Sequence, residues 1–166
     1  MLIRRADLDS PAFIALLEEH RAAMEETAPS ESQHALDLGG LRRPDVCVWT
    51  RHERNALLGC GALQRLDDEH AEIKCMRTAR AHLRKGVART ILQHLLAESR
   101  LARFQRVSLE TGSMAYFEPA RRLYASFGFV ECAPFGKYVE DPNSAYMTLE
   151  IRDPAAVAAE AVASRP

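Results

Sequence analysis

The residues best placed to do chemistry run from Glu72 to Arg89. A strand-like segment, Glu72-Ile73-Lys74-Cys75-Met76-Arg77-Thr78, leads into the basic run Arg80-Ala81-His82-Leu83-Arg84-Lys85, then Gly86 and a helical pattern. The first turn of a helix carries unpaired backbone N–H groups and a partial positive charge, which together attract anions. Arg84, Lys85 and Arg89 add side-chain cations, and Gly86 lets the backbone approach a phosphate that a Cβ would hold off. Physically this is a pyrophosphate cradle. Spacing alone supports a plainer reading equally well, a basic and solvated helix start. No Gly-Lys-Ser/Thr is present, so no hydroxyl stands ready for Mg²⁺ and nothing points to nucleotide hydrolysis. Within the strand-like segment, Glu72, Lys74 and Met76 alternate onto one face, opposite Ile73 and Cys75.

These residues need a scaffold, which hydrophobic periodicity outlines. Leu2 to Arg5 reads as a short strand. Asp9-Ser10-Pro11 offers a cap and a proline suited to the first helical position, and Phe13, Leu16, Leu17, His20 and Met24 follow at helical spacing. Ala28 to Arg43, broken by Gly39-Gly40, reads as a loop with room for a short helix, either a connector or a lid over a ligand. Val46 to Thr50, Ala56 to Leu66 and Ala71 to Thr78 read as meander strands, the first with Cys47 and Trp49 on one face. The turn Asp67-Asp68-Glu69 joins the last two. Gly59-x-Gly61 lies inside a strand and precedes no helix, so it marks a bulge or a close backbone approach and not a dinucleotide site.

From Gly86 onward the period changes. Val87, Ala88, Ile91, Leu92, Leu95 and Leu96 form the buried stripe of a long helix. Val107 to Glu110 is the next strand, and Glu118-Pro119 opens a helix in which Ala120, Leu123, Tyr124 and Phe127 share a face before Gly128 ends it. Phe129 to Cys132 and Ala145 to Ile151 read as strands, and the alanine-rich tail from Pro154 as a weak helix or a disordered end. The expected fold is α/β, a mixed sheet with helices on both faces. Residues 1–152 make a single domain and 153–166 the tail.

Composition bounds the function. The 166 residues suffice for one domain, and 47% hydrophobic with 27% charged residues is ordinary for a globular chain. Lys and Arg number 22 against 23 Asp and Glu, a net charge of −1, so no basic field exists to hold a nucleic acid. Apolar runs fall far short of the ~20 residues of a membrane span. Met1-Leu2-Ile3-Arg4-Arg5 turns charged at once, so a cytoplasmic protein without a membrane partner is expected. Cys47, Cys60, Cys75 and Cys132 form no Cys-x-x-Cys pair and read as small buried hydrophobes of a reducing compartment. The six histidines show no ligand spacing, so no metal site is expected.

The stretch after Thr78 resembles the coenzyme A-binding segment of the GNAT superfamily of acetyltransferases, Gln/Arg-x-x-Gly-x-Gly/Ala after the fourth strand. Gly86 and Ala88 match its last two positions. Leu83 stands where Gln or Arg is usual, leaving Arg84 and Lys85 to supply the charge. Ala120-Arg121-Arg122-Leu123-Tyr124-Ala125-Ser126-Phe127-Gly128-Phe129 resembles the family's Ala-x-x-Leu-Tyr-x-x-x-Gly-Phe, with Phe117 where an asparagine is common. Leu109-Glu110-Thr111-Gly112 and Asp141-Pro142-Asn143 are similar to bacterial members of the small-molecule type. The order of elements fits the family up to about Ile151.

The resemblance implies a single-domain N-acetyltransferase that moves acetyl from acetyl-CoA to a primary amine of a small molecule. Two alternatives stay open, a protein N-acetyltransferase and an acyl-CoA-binding module without turnover. In the family, acetyl-CoA lies between splayed fourth and fifth strands. The backbone of Met76, Arg77 and Thr78 is therefore expected to pair with pantetheine amides, a form of strand addition. Arg84, Lys85, Gly86, Val87, Ala88 and Arg89 are then the phosphate cradle. Tyr124 stands at the family's proton-donor position, its other reading being a core aromatic. An attacking amine must first lose a proton. Glu72 is the candidate base, or else a surface or salt-bridged carboxylate beside Lys74; Glu110 is the runner-up. His34 and His70 are further candidates, although a lone histidine in a turn is ordinarily just solvated. The acceptor pocket is expected from Ala28 to Arg43 and the loop after the fifth strand, and homodimers are common in the family.

Overall fold

The apolar stripe starting at Val87 has one way to leave water, against a sheet. A computed structural model describes residues 2–27 and 34–151, and Met1, the segment 28–33 and the tail from 152 lie outside it. The elements run β1 (Leu2–Arg5), α1 (Pro11–Thr27), α2 (Leu38–Leu41), β2 (Val46–Glu53), β3 (Ala56–Arg65), β4 (His70–Thr78), α3 (Val87–Leu101), β5 (Arg106–Gly112), α4 (Glu118–Ala125), β6 (Val130–Glu131) and β7 (Ser144–Glu150). The strands form one seven-stranded sheet in the order β1-β2-β3-β4-β5-β7-β6. Only the β4–β5 pair is parallel.

Two hydrophobic layers sandwich the sheet. On one face Val87, Ile91, Leu92, Leu95 and Leu96 of α3, each at most 3% exposed, pack with Trp49, Leu58, Ile73, Val107 and Leu109. Each such aliphatic side chain contributes about 1.5–3 kcal/mol on burial. On the other face Phe13 and Leu16 of α1 and Leu41 of α2 meet Val46, Val48, Cys60 and Ala62. Cys47 and Trp49 do share the α3 face, opposite Val46 and Val48. Gly39-Gly40, expected to break the chain, instead lies within the one-turn helix α2, where the Asp37 carboxylate accepts a bond from the Gly40 N–H at 2.7 Å. Gly128, at φ 92, closes the turn after α4 and sends Phe129 into the core.

The glycine pair in β3 marks both a bulge and a close approach. A Cβ at Gly59 would lie 2.5 Å from the Arg77 carbonyl oxygen, and one at Gly61 would lie 2.7 Å from Ile91 Cγ2. The β3–β4 register slips between Cys60 and Ala62, and on β4 Cys75 takes φ 54, in the left-handed region. This bulge overturns the expected alternation. Past it Met76 joins Ile73 against the α3 layer, whereas Cys75 packs on the α1 layer. A second correction concerns His70, which is not a solvated turn residue but the buried first residue of β4. Among the described residues, no helix is long and apolar enough to cross a membrane.

Candidate active site

β4 and β5 pair only from His70↔Arg106 to Ile73↔Leu109. Beyond Ile73, β4 keeps β3 as its partner, and β5 continues against β7 as far as Gly112. The two parallel strands therefore part, and a cavity of about 130 Å³ lies between them. Glu72, Lys74 and Met76 line it from β4, Glu110 from β5 and Tyr124 from α4, together with His20 and His34. A wider cleft of about 930 Å³ adjoins it and shares His34, Glu72, Lys74 and Asn143.

At this junction Glu72 is buried at 4% exposure. Its Oε1 accepts from Lys74 Nζ at 2.9 Å and from the Tyr138 hydroxyl at 2.6 Å, and Lys74 Nζ also donates to Tyr138 at 2.8 Å. The sequence expectation of a pairing with Lys74 holds, but the pair is buried rather than at the surface. Burial, with the Glu72 charge adding, pushes the Tyr138 hydroxyl above the ordinary tyrosine range. Burial likewise raises the Glu110 carboxyl, partly offset by a hydrogen bond from Ser144 Oγ at 2.7 Å. The two carboxylates thus stand in different settings on one cavity, Glu72 paired with a lysine ammonium and Glu110 held by a serine hydroxyl.

Tyr124 sits in the core, edge-on to Phe129, yet also lines the cavity. Its hydroxyl makes no hydrogen bond among the described residues. Burial, reinforced by the Glu110 charge, raises its pKa, so the phenol keeps its proton at ordinary pH. His34 reaches the cavity and stacks edge-on against Tyr138. His70 does not reach it. Its ring bonds Ser108 Oγ at 2.7 Å and Arg106 at 3.2 Å, and burial followed by the Arg106 charge lowers its pKa.

The cradle follows β4. Gly86, at φ 73, precedes the first turn of α3; no side chain caps that turn, and a Cβ at Gly86 would meet no atom within 4 Å. Arg84 takes φ 59, and Lys85 Nζ bonds the Ala81 carbonyl at 3.0 Å. Arg89 lies over the Phe127 ring and bonds Ser126, which links the cradle to the end of α4. The Arg77 guanidinium is held by Glu19 at 2.9 Å, leaving the main chain of that residue as its contribution to the cleft. The open helix start and the unpaired edge of β4 are what a pyrophosphate and an amide-bearing chain require.

Two residues, one lining the small cavity and one the wide cleft, escaped the sequence reading as site residues. His20 entered only as part of a helical stripe; its Nδ1 is buried without a partner, and burial lowers its pKa to about 4. Tyr138 lies in the β6–β7 loop, where the sole signal was an aromatic pair, Phe135 and Tyr138, between Pro134 and Pro142. That loop, with His34 and Arg43, walls the wide cleft, while the segment after β5 reaches only the small cavity, through Phe117. Among the described residues no group of three or more His, Cys, Asp or Glu is gathered to hold a metal ion.

The family model of the Acetyltransferase (GNAT) family matches residues 13–129. The chain is 51% identical to the uncharacterised N-acetyltransferase YsnE of Bacillus subtilis, over 91% of this chain and 100% of that protein. It is 44% identical to YedL of Escherichia coli, likewise an uncharacterised N-acetyltransferase, over 90% and 94%. An IAA acetyltransferase of Azospirillum brasilense is 33% identical over 82% and 88%. Among solved structures, an acetyltransferase of Streptococcus agalactiae has a TM-score of 0.70 at 17% identity, covering 90% of this chain and 98% of that one. A GNAT family acetyltransferase of Elizabethkingia anophelis with acetyl-CoA bound has a TM-score of 0.63 at 17% identity, covering 90% and 97%. At these identities the two structures speak for the fold alone.

Proposed function

The chain belongs to the GNAT family of acetyltransferases and is an acyl-CoA-dependent N-acetyltransferase, and from that premise we propose that it transfers acetyl from acetyl-CoA to the primary amine of a small molecule. The observation that carries this reading is the parting of β4 from β5 over a cavity that gathers two carboxylates and a phenol. The domain doing this work spans residues 1–152, and the four free cysteines fit a reducing compartment, the cytoplasm.

On this reading the donor's pantetheine lies along the free edge of β4 at Met76, Arg77 and Thr78. Its pyrophosphate meets the open first turn of α3, Gly86 to Arg89, with Arg84 and Lys85 beside it. An amine enters from the wide cleft and passes Glu72, which draws the ammonium and takes up its proton directly or through water. Glu110, whose carboxyl burial pushes above the ordinary range, is the second acceptor for that proton. Tyr124 keeps its proton and lies on the same cavity, so it can donate to the sulfur as the thioester breaks.

Thiol release from acetyl-CoA with a panel of amino acids, polyamines and lysine peptides tests the proposal. Turnover with small amines is expected. Turnover with peptides alone would make it a protein acetyltransferase, and binding with no thiol release from any amine would leave a binding module.

A further inference from the structure

Lys74 is a primary amine on the junction of the wide cleft and the small cavity, the path proposed above for the acceptor's nitrogen. Its side chain is 10% exposed, and it lines both the wide cleft and the small cavity that Tyr124 and Met76 share. Two of its three N–H bonds go to Glu72 Oε1 and the Tyr138 hydroxyl, and the third has no partner among the described residues. The carboxylate beside it is the one assigned as the base. We propose that Lys74 is itself an acetyl acceptor, and that the enzyme acetylates its own Lys74 from bound acetyl-CoA when no amine substrate is present.

The inference rests on the proposed donor and base. The ammonium gives one proton to Glu72, the freed amine attacks the thioester carbonyl, and the carbon–sulfur bond breaks as the carbon–nitrogen bond forms. A second proton leaves the nitrogen and the departing sulfur ends as a thiol. One acetyl-lysine and one free thiol result per chain, with no further reactant. Acetylation removes the Lys74 charge and leaves Glu72 held by Tyr138 alone, so the modified site differs from the unmodified one at the point where the acceptor enters.

The chain's composition makes the test clean, because it has only three lysines, Lys74, Lys85 and Lys137. Lys85 and Lys137 are exposed, so simple chemical acetylation must favour them. Incubation of the native enzyme with acetyl-CoA and no amine, followed by peptide mass mapping, is expected to show acetyl at Lys74 first. The expected rate advantage over the exposed lysines is on the order of 10², from proximity alone. Urea-unfolded protein is expected to lose that preference. Thiol release should reach one equivalent per chain and vanish in Lys74→Arg, whose folding is checked by thermal melting. Acetyl confined to Lys85 and Lys137, or an equivalent of thiol still released by folded Lys74→Arg, overturns the inference. Calorimetric titration of acetyl-CoA into the same sample separates the two levels. Binding without Lys74 acetylation sinks self-acetylation alone, and absence of binding sinks the donor assignment together with it.

Discussion

Tyr124→Phe isolates one hydroxyl. The ring, 6% exposed and edge-on to Phe129 with centroids 5.8 Å apart, survives the change, so no cavity opens in the core. The lost hydroxyl has no hydrogen bond among the described residues and belongs to a side chain that lines the cavity, so its loss orphans no partner. Its removal should therefore leave stability within about 1 kcal/mol of the parent. For a domain of this size, each kcal/mol corresponds to about 2–4 °C in Tm. Binding of acetyl-CoA should also be unaffected, because the main-chain and phosphate contacts proposed for the donor lie on β4 and α3. Turnover is where the effect belongs. A thiol has a pKa near 8.5, so its thiolate is already a fair leaving group and a proton donor helps without being indispensable. A fall in kcat of ~10–10³ is expected. The assay is thermal melting, calorimetry and single-turnover thiol release on one variant. An unchanged single-turnover rate would refute the donor role and leave Tyr124 as a core aromatic.

Glu72→Gln should slow turnover by ~10²–10⁴ and flatten the acid limb of the pH–rate profile; a wild-type profile would pass the role to Glu110, a histidine or bulk water. Because it also leaves a buried Lys74 unpaired, a stability loss of ~3–5 kcal/mol should accompany it, readable by urea titration. Gly86→Glu should abolish measurable acetyl-CoA binding, whereas Gly86→Ala, which bears the same positive-φ strain without the charge, should weaken it far less. Equal affinities for the two variants by calorimetry would remove phosphate from this helix start. His20 binds a proton below pH 6.5 when unfolded but only below about 4 when folded, so its contribution to stability is lost as pH falls through that window. The loss amounts to ~3 kcal/mol and should be missing from His20→Gln in urea titrations at pH 7, 5 and 4.

Periodic features were legible and local exceptions were not. The α3 stripe could be read because burial on one side of a helix imposes a 3.6-residue repeat, and all five of its large apolar residues are buried. The parting of β4 and β5 entered only through resemblance, since no residue in Lys74 to Thr78 marks the loss of a neighbouring strand. Alternation along β4 failed at Cys75, where a non-glycine residue takes φ 54 and nothing in its side chain announces it. His70, next to the turn in sequence, is already strand because the Asp67 carboxylate closes the turn before it by accepting the Glu69 and His70 N–H groups. Tyr138 is joined to Glu72 across 66 positions, a separation at which pattern reading has no reach.

The sheet carries a seam. Four residue pairs hold β1–β4 against β5–β7, and past them the β5-facing edge of β4 has no strand beside it among the described residues. Amide groups in such a place exchange their hydrogens with solvent through local openings and add little to the cooperativity of the whole. A donor lying along that edge completes the ladder in the manner of an eighth strand that dissociates at every turnover. Resistance to unfolding then follows mass action, gaining ~2.7 kcal/mol at a hundredfold excess of ligand over Kd. With the donor placed as proposed, the stability of the folded chain is tied to the concentration of its own co-substrate.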